Sequence, residues 1–92
     1  MNTNLQILRE KIQEIDRSMM ILLAQRLQYA EQIGKIKRQM HIPYQDPAYF
    51  EYSLRIKEEY GKNLGLTIDE VKVFFELLQE LSINRMKKDV SL

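Results

Sequence analysis

The chain has 92 residues, enough for one small domain, with 45% hydrophobic residues, 29% charged residues and a formal net charge of +1. Near-neutrality argues against the electrostatic attraction on which nucleic-acid and anionic-membrane binding rely. The absence of cysteine removes any disulfide framework or thiolate metal site, and no apolar run approaches the roughly 18 residues of a membrane span.

The opening stretch, MNTNLQILREKIQEID, carries charges every few residues, unlike a signal peptide, so a soluble cytoplasmic protein is expected. Leu5, Leu8, Ile12, Ile15, Met19, Leu22, Arg26, Tyr29, Ile33, Ile36 and Met40 follow one another in alternating steps of three and four. That spacing is the seam of an amphipathic helix at heptad period. No proline interrupts it before Pro43, and Gly34 is its one weak helix former. A helix over residues 5–40 is predicted. It would be on the order of 50 Å long, whereas a compact chain of this size has a radius of gyration of roughly 12 Å. One chain cannot wrap such a helix. The same helix of a second chain can, which predicts an intertwined, domain-swapped homodimer.

HIPYQDP reads as a turn. Asp46 followed by Pro47 is a strong helix start, because the carboxylate caps open amides and proline suits the first helical position. The second helix is predicted over 47–60, with Gly61 as a left-handed cap. After the loop KNLGL, Thr67 and Glu70 form the capping-box pair that opens a third helix over 68–87. Its inner stripe is read as Val71, Phe74, Phe75, Leu78, Leu81 and Ser82, and the tail 88–92 is expected to fray. Nothing reads as a strand, a repeat or a low-complexity segment. The expectation is one all-α domain over 1–92, with a long, a short and a medium helix.

Arg26 interrupts the apolar seam, and Lys37 lies eleven residues on, close to three full turns, so both point the same way about 16 Å apart along the axis. A cation in a buried seam is costly unless paired. An acid from another helix or an anionic ligand would each serve, and spacing alone does not choose between them. Arg9 lies roughly 25 Å from Arg26 along the helix and about 100° off its face. It could join Arg26 only from another chain. Taken singly, Arg9 in LREK and Lys37 in KIKRQ read as ordinary solvated charges. His41 is alone in the turn and makes a poor metal site. The cluster of Tyr44, Tyr49, Phe50 and Tyr52 reads first as packing.

LREKIQEID, then LLAQR, then GKIK, then a turn ending in Asp, together resemble the α-helical, AroQ-class chorismate mutases. The resemblance runs from about Leu8 to Met86 with almost no gaps. It implies a domain-swapped all-helical homodimer with two equivalent sites, no cofactor, no metal, and the rearrangement of chorismate to prephenate in aromatic amino acid biosynthesis (the shikimate pathway). By position it implies that Arg26 and Lys37 serve the site of their own chain while Arg9 reaches across. The arginines would hold substrate carboxylate, and Lys37 would face the ether oxygen. Asp46 matches the aspartate near the substrate hydroxyl, though a plain helix cap explains it equally. Ser82 matches a serine that contacts carboxylate, and a small residue easing helix packing is its other reading.

The chemistry fits the residue inventory. A pericyclic rearrangement needs no nucleophile and no proton transfer. It needs a flexible dianion held in a compact chair and fixed positive charge where the ether oxygen gains electron density. Three positions depart from the family pattern. Tyr49 and Phe50 stand where arginine and glutamate are usual, and Met86 where glutamine or glutamate touches the ether oxygen. The readings, in order, are a chorismate mutase with a rearranged site; an enzyme acting on a relative of chorismate, such as an isochorismate pyruvate lyase or aminodeoxychorismate mutase; and a non-catalytic helical dimer.

Overall fold

A computed structural model describes residues 3–88 and shows three helices: α1, Thr3–Met40; α2, Pro47–Asn63; and α3, Ile68–Lys88. The fold is all-α, in the long, short, medium order expected. Residues 89–92, most of the tail expected to fray, lie outside the described residues, while Lys88 closes α3. Among the described residues no helix is long and apolar enough to cross a membrane.

Each boundary has a local cause. At the end of α1, His41 adopts a left-handed φ of 58°. This lets Ile42 N–H donate to Lys37 C=O (3.0 Å) and His41 N–H to Arg38 C=O (3.2 Å), the paired closure of a Schellman motif. Asp46 caps α2 as predicted, its Oδ1 accepting Tyr49 N–H at 3.1 Å with Pro47 in the first turn. At the start of α3, Glu70 N–H donates to Thr67 Oγ1 (3.1 Å) and Thr67 N–H to Glu70 Oε1 (2.8 Å). The bond from Thr67 N–H, and then the nearby Thr67 hydroxyl, hold the Glu70 carboxyl below its ordinary range.

The end of α2 differs from the prediction. The helix runs through Gly61 to Asn63, and the left-handed residue is Gly65, at φ 82°. Leu66 N–H donates to Gly61 C=O and Gly65 N–H to Lys62 C=O, a second Schellman closure. Gly61 serves packing instead: a Cβ there would sit 2.6 Å from Val71 Cγ2.

The three helices form one flat layer of 58 × 32 × 14 Å, with α3 packed against both α1 and α2. Its radius of gyration, 16.9 Å, exceeds the roughly 12 Å of a compact chain of this length. A single layer encloses little. Its buried apolar side chains are Leu27, Ala30, Leu54, Val71, Ile83 and Met86.

Within the chain, α3 does not cover the predicted seam of α1. It covers the neighbouring stripe of Leu27, Ala30 and Gly34. Arg85 pairs with Glu31 (2.9 Å), and Arg38 Nη1 donates to Met86 C=O (2.8 Å). The seam residues Leu5, Leu8, Ile12, Ile15, Met19 and Leu22 are all exposed. The stripe of α3 largely follows the predicted one: Val71 and Ser82 are buried, and Phe75, Leu78 and Leu81 are half-buried. Ile83 and Met86, outside that stripe, are buried as well, whereas Phe74 is 48% exposed.

Candidate active site

A cavity of about 460 Å³ opens where α1, the 41–46 turn, α2 and α3 converge. That volume suits a small metabolite. From α1 it receives Arg26, Tyr29 and Ile33, which lie on the predicted seam, and Lys37 beside it. The turn supplies Tyr44 and Asp46. The stripe Tyr49, Phe50, Ser53 and Lys57 comes from α2, and Phe75, Gln79, Ser82 and Met86 come from α3 at steps of four, three and four. Seven of the eight site residues expected from the sequence therefore line one cavity. Arg9 is not part of the cavity of its own chain.

Arg26 Nη1 donates to Ser82 Oγ at 2.5 Å and to Leu78 C=O at 3.4 Å. The contact fixes the guanidinium on α3 and satisfies the buried serine hydroxyl. Both readings of Ser82 hold together: it is buried in the α1–α3 packing, and its hydroxyl orients a cavity cation. Burial lowers the Arg26 pKa, but a guanidinium stays protonated at any physiological pH. Arg26 bonds to a hydroxyl and a main-chain carbonyl, and among the described residues it forms no ion pair of the kind that spacing alone left open.

Lys37 Nζ donates to Tyr44 C=O at 2.6 Å, which leaves two of its three N–H donors for a ligand. Beside it, Arg38 donates to the Tyr44 hydroxyl at 3.0 Å. Two consecutive residues in the last turn of α1 thus tie down the 41–46 turn, and with it the start of α2. Asp46 unites its two sequence readings, since it caps α2 and also lines the cavity. Met86 is buried against Gly34, where an added Cβ would lie 2.8 Å from Met86 Cβ. Its thioether gives the wall no hydrogen-bond donor. Tyr49 and Phe50 make the adjoining wall aromatic, with Tyr49 tilted toward Tyr52 at a centroid distance of 6.3 Å.

Sequence reasoning missed Lys57, Ser53 and Gln79. The signal was present: Asp46, Tyr49, Phe50, Ser53 and Lys57 recur at helical spacing from the cap of α2. Lys57 Nζ donates to Ser53 Oγ and lies 4.9 Å from the centroid of the Phe75 ring. Burial, and then the charge of Arg26, lower its pKa. With Lys57 included, the cavity carries three cationic side chains against one carboxylate, Asp46. An arrangement of this kind attracts an anion with more than one negative charge.

The family model described as chorismate mutase type II matches residues 8–87. No curated protein matches the chain. A match over nearly the whole chain, with the matching arginine, lysine, aspartate and serine gathered at one cavity, places the protein: it belongs to the chorismate mutase type II family.

Proposed function

We propose that the protein is a chorismate mutase working as a homodimer, in which Arg9 of the partner subunit completes each cavity. The observation that carries this reading is the convergence of Arg26, Lys37, Asp46 and Ser82 on a cavity with a cationic excess. Chorismate is a dianion. Arg26, held by Ser82, is placed to bind a carboxylate with its remaining donors, a task for which a guanidinium fork is suited. Lys37, fixed by Tyr44 C=O, directs ammonium donors toward the ether oxygen as its C–O bond breaks and the new C–C bond forms. Such preset charge needs little reorganisation at the moment of reaction. The second carboxylate oxygen of Asp46 is available to the ring hydroxyl. Gln79, three residues before Ser82, offers an amide on the wall to which Met86 brings none.

Arg9 enters because α1 carries it far from its own cavity, and because the exposed seam between needs a cover. A second α1 laid along that seam supplies both. The product, prephenate, would feed aromatic amino acid synthesis.

The test is an ultraviolet assay of chorismate consumption by the purified protein, with the product identified by NMR and mass spectrometry. Prephenate is expected, with the rate falling on the order of 10²–10³-fold in Lys37→Ala. Consumption of isochorismate or aminodeoxychorismate in place of chorismate would move the reading to a relative of the substrate, a shift that the aromatic wall of Tyr49 and Phe50 would accommodate. If none of the three is bound or consumed, the chain is a non-catalytic helical dimer.

A further inference from the structure

Lys57 occupies a position for which neither the fold nor helix formation accounts. It lies on the inner stripe of α2, two turns beyond Tyr49 and Phe50, and its side chain is half-buried. A lysine at such a place ordinarily carries its ammonium to water along an apolar stem. Here the ammonium is turned to the cavity. It donates to Ser53 Oγ one turn back, rests over the Phe75 ring, and feels the charge of Arg26. The one carboxylate of the cavity, Asp46, sits at the other end of the same stripe, about 16 Å away along the helix axis. Glu51 and Glu58 of α2 are both engaged by Arg55. Two cations therefore face one cavity from opposite helices, α1 and α2, with no carboxylate of the cavity beside them.

Like charges so placed repel, and an anion between them relieves the repulsion. From this geometry we propose that Lys57 and Arg26 together grip one carboxylate of the bound dianion, and that Ser53 positions the Lys57 ammonium for it. The inference deepens the functional reading and rests on it for the identity of the ligand. It also explains how the site tolerates Tyr49 where a cation is usual. The positive charge on the α2 side is retained, moved two turns down the helix. Phe75 beneath the ammonium holds it in place by cation–π attraction, and Ser53 fixes its azimuth. The aromatic wall made by Tyr49 and Phe50 is left to pack the ring of the ligand.

The test compares Lys57→Met, which keeps the apolar stem, with Lys57→Arg, which keeps the charge, and with Ser53→Ala. Two ligands are used: chorismate in steady-state kinetics, and cyclohexane-1,3-dicarboxylate, an unreactive dianion, in calorimetry. Circular dichroism confirms that each variant retains the helical content of the parent. Lys57→Met is expected to raise KM for chorismate and weaken dicarboxylate binding on the order of 10- to 100-fold, the loss of one charge-assisted contact. Lys57→Arg should recover most of that loss, and Ser53→Ala should give a smaller rise in KM than Lys57→Met. Unchanged KM and unchanged dicarboxylate affinity in a folded Lys57→Met overturn the inference while leaving the mutase reading intact. Weakened dicarboxylate binding in a protein that does not turn over chorismate overturns the mutase reading and keeps Lys57 as an anion-binding residue. A Lys57→Met chain that unfolds while Lys57→Arg binds normally still supports a charge requirement. Loss of binding in both, with folding intact, would mean that packing of the lysine itself was responsible.

Discussion

The two halves of α1 have the same local design and opposite surroundings. From Leu27 onward the helix is docked: Leu27, Ala30 and Gly34 are buried under α3, Glu31 and Arg38 bond to it, and Arg26 and Lys37 enter the cavity. From Thr3 to Leu22 it has an equally regular apolar seam that no other helix covers, with Leu8 at 59%, Ile12 at 57% and Leu22 at 63% exposure. The helical backbone ladder runs through both halves, because its bonds are made within the helix. Burial is complete in neither, because the layer is one helix thick. A continuous apolar stripe of this length marks an interaction surface. The difference teaches that the chain specifies its helices alone and its core only in part, and the second copy proposed above would cover the open seam and bring Arg9 to the cavity together.

The comparison breaks most visibly if the open half is charged. Ile12→Glu combined with Ile15→Glu leaves every described contact among α1, α2 and α3 untouched. If a second copy covers the seam, two buried carboxylates would cost several kcal/mol, and sedimentation equilibrium should show the dimer lost along with much of the helicity. An unchanged mass and circular dichroism spectrum would mean that the seam faces water in solution. Next in size is the exchange test between halves. Arg9→Ala and Arg26→Ala should each lower activity on the order of 10²–10³-fold. Mixed and exchanged, they should recover part of it, since one cavity of the mixed dimer keeps both arginines. Absence of recovery after verified exchange would place Arg9 outside the site.

Much of this was legible in the residues. The seam, Asp46–Pro47 and Thr67–Glu70 announce three helices because their signals are local: periodicity, and side chains that satisfy backbone amides within a turn. Arg26, Lys37, Asp46 and Ser82 could be aligned on the chorismate mutases, and they do meet. What was not legible depends on which helix face meets which. Gly61 and Gly65 are both credible stops, since glycine serves either a positive φ or a close approach. Only the position of Val71 against Gly61 assigns the first to packing and the second to the turn. The stripe Leu27–Ala30–Gly34 was overshadowed by the stronger seam one residue away. Lys57 was passed over because a lysine on a short polar helix reads as solvated until Phe75 and Ser53 are placed beside it.

The smallest expected effect probes the docked half alone. Gly34 lets α1 and α3 approach so closely that a Cβ would lie 2.8 Å from Met86 Cβ and 3.0 Å from its Cα. Part of that obstacle is main chain, which no rotamer change removes. Gly34→Ala improves helix propensity by up to about 1 kcal/mol, so the helix itself gains. Against this, forcing the two helices apart costs roughly 1–3 kcal/mol, and steric crowding should win by a modest margin. A melting temperature lower by a few degrees is expected, because about 1 kcal/mol shifts a domain of this size by roughly 4–8 °C. The shift should come with a reduced rate, because Met86 and Ser82 share one face of α3 and move with it, carrying the anchor of Arg26. A Gly34→Ala chain that melts higher and turns over normally would show that α3 sits farther from α1 than this packing has it, and that the cavity does not depend on their close approach.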